Sequence, residues 1–261
     1  MPDLLSTITE TLSGAELALV LGAVAMAGFI RGFLGFGSAL IIIMVVSAVL
    51  GPREAVPIAG LAGLPVMLYL LPDAYRHAER AFVGPCVLAI LIAAPIGTFV
   101  LVSLDPAIMK IAISSFVLFM AALMQRGWRW PGGTGRSLLF GVGAIAGLAQ
   151  GAAGVGGPPL VALSLSRPGP PERQRANVIG TISALMICSL PVMGMHGLFT
   201  DRVIAVGALL VPLYVVTAWL GTRYFAGPGQ ERYQSAALMA LIAIGVVTLA
   251  LAVRSYVAAP V

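Results

Sequence analysis

The chain has 261 residues, of which 59% are hydrophobic and 10% charged, and it carries a formal net charge of +5. A soluble domain typically holds about 25% charged residues, so a water-soluble enzyme, a nucleic-acid-binding domain and a disordered chain are all excluded. Lipid must solvate most of this surface, and the surplus of bases then belongs to loops on one side of a membrane rather than to a nucleic-acid site.

The first sixteen residues hold Asp3, Glu10 and Glu16 and no base. A secretory signal starts with a positive region, so no removable signal is expected. Apolar runs long enough for membrane helices follow one another along the chain. They lie near 16–30, 35–50, 55–71, 81–102 and 107–125, then near 138–151, 153–165, 176–193, 203–225 and 234–253. The runs at 35–50 and 153–165 are short for a crossing and are expected to be broken or re-entrant elements. The expected fold is therefore an all-α polytopic membrane protein with eight to ten membrane segments. Cys86 and Cys188 both fall inside apolar runs and are read as packing residues.

The bases predict a topology. With the N-terminus outside, Arg31, Arg76, Arg80, Arg126, Arg129, Arg136, Arg167, Arg173, Arg175, Arg223 and Arg232 fall on the inside. Arg53, Lys110, Arg202 and Arg254 fall outside. This positive-inside bias places both termini outside an inner (plasma) membrane.

The chain also repeats itself. Ala27–Leu40 reads AGFIRGFLGFGSAL, and Ala146–Pro159 reads AGLAQGAAGVGGPP. At an offset of 119 residues, Ala27, Gly28, Gly32, Gly35 and Gly37 meet Ala146, Gly147, Gly151, Gly154 and Gly156. Pro95-Ile96-Gly97-Thr98 is echoed by Trp219-Leu220-Gly221-Thr222. Residues 1–125 and 138–261 are read as two five-segment repeats, joined by a basic cytoplasmic linker at 126–137. Units with an odd number of segments must face opposite sides of the membrane, which makes the repeat inverted.

In such proteins the substrate site lies near the midplane, where helices break. Both glycine motifs run into apolar stretches and are expected to be loops that end at helix N-termini. Free N–H groups and the positive dipole end favour an anion there. Gly35, Gly37, Gly154, Gly156 and Gly157 are read as the cradle. The earlier Gly28–Gly32 and Gly143–Gly147–Gly151 spacings suit close helix packing instead. Arg31, flanked by Ile30 and Gly32, either pairs with an anionic substrate or orients the first spans as a loop base. Gln150 holds the matching place and either donates to the anion or bonds between helices. Asn177 and Thr181 share a helix face, and either line the cavity or hold helices together. Ser38 is placed to bind substrate or to cap the helix after the first motif. Pro65, Pro95, Pro191 and Pro212 are expected to kink spans.

With these residues on the page, the chain resembles the TauE/SafE family of membrane exporters over essentially its whole length. The sharpest part is Gly147–Leu160, followed by Ala176-Asn177-Val178-Ile179-Gly180-Thr181. The first half departs from the family's glycine run at Phe36 and Ser38, and no proline follows at once. The resemblance implies export of sulfite, sulfoacetate or a related organosulfonate. The residues by themselves imply a small anion, moved by alternating access.

Other chemistry finds little support. No nucleotide-binding P-loop is present, and two histidines, His77 and His196, make no catalytic set. No enzyme activity, cofactor or metal is expected. The expected partners are the small anion and the lipid bilayer, and the oligomeric state stays open, a homodimer included. A non-transporting accessory protein, or an uptake carrier for another organic anion, remains the alternative.

Overall fold

A computed structural model describes residues 14–103, 135–154 and 156–233, with scattered positions up to 243. Among the described residues all regular structure is helical. In chain order the helices are α1 (Gly14–Leu34), α2 (Ser38–Leu50), α3 (Pro52–His77) and α4 (Arg80–Ser103). They continue as α5 (Arg136–Ala153), α6 (Gly157–Leu165), α7 (Pro171–Met195) and α8 (Asp201–Tyr224). A π-helical turn, Phe225–Gly229, follows α8. The expected segment at 107–125 lies outside the described residues. So do most of the segment at 234–253 and most of the linker at 126–137, whose last residues open α5.

Among the described residues, five helical stretches are long and apolar enough to cross a membrane: Gly14–Leu34, Arg53–His77, Arg80–Phe99, Pro171–Met195 and Asp201–Gly229. At 1.5 Å per residue, the 13 residues of α2 and the 9 of α6 reach only about 20 and 13 Å. Both fall short of a hydrocarbon core of about 30 Å. The long helices run past the apolar stretches that announce them. Helix α3 continues through Asp73 to His77, and α7 starts at Pro171 rather than near 176. Hydropathy falls at these polar residues, but the backbone ladder continues, and Pro171 is pre-set for a first helical turn. Pro57, Pro65 and Pro72 stay inside α3, as prolines do in membrane helices whose neighbours supply the missing contacts.

The helix ends keep the sequence repeat in register. Leu34 and Ala153 end α1 and α5, Ser38 and Gly157 start α2 and α6, and Pro52 and Pro171 start α3 and α7, each pair 119 residues apart. The strongest packing joins first to last across the halves: α4 lies along α5, and α1 along α8. In both pairs glycine removes the side chain that would keep the backbones apart. A Cβ on Gly28 or Gly32 would strike Tyr214, Thr217 or Ala218, and one on Gly221 would strike Phe29 and Phe33. A Cβ on Gly143, Gly147 or Gly151 would strike Cys86, Ile90, Ala93, Ala94 or Thr98. Contacts advance in the same direction along both partners, so each pair runs parallel.

Buried apolar residues gather into two clusters. One joins α1, α2, α3 and α8, with Ile179 and Met193 reaching in from α7. The other joins α4, α5, α6 and α7, with Phe33, Leu34 and Phe36 reaching in from the end of α1. Each bundle thus takes three helices from one half of the chain and its fourth from the other. The outer faces stay apolar: Leu19, Leu68, Leu88, Ile92, Phe99 and Val216 are all exposed. A surface of that kind is stable against lipid and not against water.

Gly32→Ala and Gly151→Ala are expected to lower the melting temperature in detergent, because overpacking at a backbone contact costs about 1–3 kcal/mol. Gly84→Ala, where an added Cβ meets nothing within 4 Å, is expected to leave it unchanged. Equal melting of all three would contradict the close approach of α1 to α8 and of α4 to α5.

Candidate functional site

Two helix breaks border one cavity. The first separates α1 from α2 at Gly35-Phe36-Gly37. Gly35 and Gly37 take φ values of 84° and 90°, a left-handed conformation open to glycine at little cost. The second separates α5 from α6, with Gly154 at φ 69°. The cavity lies between them and is partly open to the outside. Its polar lining is Arg31, Ser38, Gln150, Ser189 and Tyr214. Its apolar wall includes Ile43, Val56, Met186, Leu190 and Met193.

Arg31 stands in the last turn of α1 and is only 3% exposed. One guanidinium nitrogen, Nη1, donates to the Gly35 carbonyl. The other, Nη2, is buried and has no hydrogen-bond partner among the described residues. No carboxylate pairs with Arg31 among those residues either. It stands in the last turn of a packed helix rather than in a loop. A charge so placed costs a few kcal/mol or more unless a partner meets it.

Ser38 and Tyr214 complete this wall. The Tyr214 hydroxyl donates to Ser38 Oγ at 2.6 Å. Gly37, not Ser38, is the N-cap of α2, and no side chain caps that end. Ser38 is thus the first helical residue, and its hydroxyl is used across the bundle. Gly37, Ser38, Ala39 and Leu40 all line the cavity, so the amide end of α2 opens onto it.

The second break is built differently. Gln150 Oε1 accepts from the Gly156 amide at 3.1 Å, which ties the loop to α5. Gln150, Gly154 and Gly157 line the cavity. Pro158 and Pro159 occupy the start of α6 and carry no N–H. This end therefore offers fewer donors than the start of α2, although both motifs break a helix.

The remaining expected site residues stand outside the lining. A Cβ on Gly35 would meet Ile179, and one on Gly156 the Ala146 carbonyl, so both glycines serve close backbone approach. Asn177 Oδ1 accepts from the Glu79 amide at 2.7 Å and caps the start of α4. Thr181 Oγ1 returns its proton to the Asn177 and Val178 carbonyls. The cavity face of α7 is instead Ile182, Met186, Ser189, Leu190 and Met193.

One functional residue escaped the sequence reading. Arg175 reads as a loop base, yet its side chain is only 3% exposed. Its Nη2 donates to the Gly32 carbonyl at 2.6 Å and its Nε to the Phe33 carbonyl at 3.1 Å. Its Nη1 reaches Asp73 Oδ2 at 3.1 Å, and its guanidinium lies 4.3 Å from the centre of the Phe225 ring. Thr222 also donates to the Gly32 carbonyl, and Tyr233 to that of Leu34. The orphan carbonyls at the end of α1 are thus all met. The offset of 119 residues puts Val56 in the place of Arg175 beside the second break, where Gly154 abuts it. Its pairing with Asp73 is hidden by the sequence distance between them.

Arg175→Met is expected to lower the melting temperature, since it strands the Phe33 carbonyl and takes from the Gly32 carbonyl the shorter of its two hydrogen bonds. A buried carbonyl so left costs about 1–3 kcal/mol. Amide exchange should rise first over residues 31–37. Asp73→Asn, at a half-exposed position, is expected to cost less. Unchanged exchange in Arg175→Met would contradict its role as the cap of α1.

Comparison with known proteins now bears on this geometry. Neither a curated protein nor a solved structure matches the chain. The family model described as sulfite exporter TauE/SafE matches residues 20–248, a span that contains both helix breaks and every residue that lines the cavity. The chain belongs to the TauE/SafE family of membrane sulfite exporters.

Proposed function

We propose that the protein exports a small sulfur-containing oxyanion, sulfite or an organosulfonate, through the cavity between the two helix breaks. One observation carries this reading: a buried arginine with an unpartnered Nη2 lines a cavity at the N-terminal end of a broken helix. Guanidinium geometry suits sulfite and sulfonate oxygens, which can accept two parallel hydrogen bonds. The first amides of α2 and the positive end of its dipole add to the attraction. Tyr214 holds Ser38 in place beside them.

The two halves act as inverted repeats in this proposal. The matched helix ends and the exchanged pairings α1–α8 and α4–α5 support it. The bodies that move are the two bundles, not the two halves of the sequence. One is α1, α2, α3 and α8, the other α4, α5, α6 and α7. The cavity lies between them, so rocking one against the other opens it to each side in turn. Arg167 and Arg173 reach Glu79, and Arg175 reaches Asp73, at one end of the molecule. Arg202 pairs with Glu54 at the other. The base-rich end is assigned to the cytoplasm, which places the N-terminus outside an inner membrane.

Purified protein in proteoliposomes loaded with labelled sulfite or an organosulfonate is expected to release it. A neutral sugar of similar size should stay inside. Arg31→Gln should cut that flux at least tenfold while keeping the wild-type melting temperature. Tyr214→Phe removes one hydrogen bond and should cost roughly fivefold. No protein-dependent flux of any anion, or full flux in Arg31→Gln, overturns the reading.

A further inference from the structure

Taking the cavity as the transport site proposed above, we infer that it holds one monovalent oxyanion, with Arg31 as its whole countercharge, so that the loaded site is neutral and the empty site carries +1. Among the described residues, Arg31 is the only charged residue of the lining. The next charge, Arg175, is already balanced. It is paired with Asp73, and its other donors are spent on the Gly32 and Phe33 carbonyls. Arg202 and Glu54 are likewise paired with each other. The other polar lining groups, Ser38, Gln150, Ser189 and Tyr214, are neutral.

Two consequences follow for what enters. A dianion would leave one negative charge facing Ile43, Val56, Leu190 and the two methionines. An apolar wall cannot compensate that charge. The site should therefore select a sulfonate or hydrogen sulfite over sulfite dianion or sulfoacetate. Equally, no carboxylate in the described lining offers a seat for a proton or sodium ion travelling with the anion. The anion is carried alone.

The charge balance also fixes which step feels the membrane potential. The loaded site moves outward with no net charge. The empty site, held positive by a guanidinium that keeps its proton, returns inward down a potential that is negative inside. One full cycle moves one negative charge out, and the field acts on the return alone.

The test uses the wild-type protein in proteoliposomes with the potential clamped by a potassium gradient and valinomycin. Four probes serve: methanesulfonate as a monoanion of fixed charge, sulfoacetate and sulfate as dianions, and sulfite, which passes from dianion to monoanion as the pH falls through neutrality. Methanesulfonate exchange, with anion on both sides, should run at the same rate with or without the potential. Net methanesulfonate efflux should approach an outside-to-inside ratio of about fiftyfold at 100 mV, as expected for one uncompensated charge. Sulfite flux should rise as pH falls while methanesulfonate flux stays flat, and both dianions should move at least tenfold more slowly. Dianions carried as fast as methanesulfonate, exchange that responds to potential, or a net flux blind to it would each overturn this inference while leaving anion transport standing. Absence of flux for every probe would instead remove the transport reading, and this inference with it.

Discussion

The end of α1 inside the protein is the constraint on which the rest of the structure depends. A helix end buried in protein leaves its last carbonyls without water to satisfy them, and each costs about 1–3 kcal/mol if left alone. Here Gly35, Arg31, Arg175, Thr222 and Tyr233 answer them. Three of those donors come from the second half of the chain. The carbonyls at the break are satisfied only with α7 and the chain after Ala218 packed around it. What this closure leaves over is one guanidinium nitrogen of Arg31. The feature that makes the fold possible and the feature that makes it useful to an anion are therefore the same cluster.

The two breaks are related without being equal. Both depend on glycine at a positive φ. The first is held by charged donors and opens onto the free amides of α2. The second is held by Gln150 through the Gly156 amide, and prolines remove donors from the start of α6. Positive charge is thus concentrated at one break only, and the cavity is polarised across its width. An anion in it meets Arg31 and Ser38 on one side and a largely apolar wall on the other.

The exchange of fourth helices explains why the glycines are so many. Helices α4 and α5 belong to different halves yet pack in one bundle, as do α1 and α8. In lipid no hydrophobic force drives such pairs together, so close backbone contact must supply the attraction. Gly28, Gly32 and Gly221 serve one pair, and Gly97, Gly147 and Gly151 the other. Each bundle is sealed along its length, and the seam left between the bundles is where the cavity lies.

Much of this was legible in the residues. Apolar runs fixed the helices, because lipid accepts little else, and the repeated glycine spacing marked both breaks to within a few residues. The short runs near 35–50 and 153–165 became the short helices α2 and α6, since length is read directly from sequence. Tertiary structure alone decided which polar groups face the cavity. Asn177 and Thr181 share a face of α7, but that face turns to α4 and to its own backbone, while Ser189 and Tyr214 turn inward. Arg175 closes a polar stretch and reads as a loop base, while Arg31 stands among apolar residues. Only the folding of α7 across the end of α1 gives Arg175 its partners and leaves Arg31 without one, because a buried charge is defined by what the chain brings to it from far away.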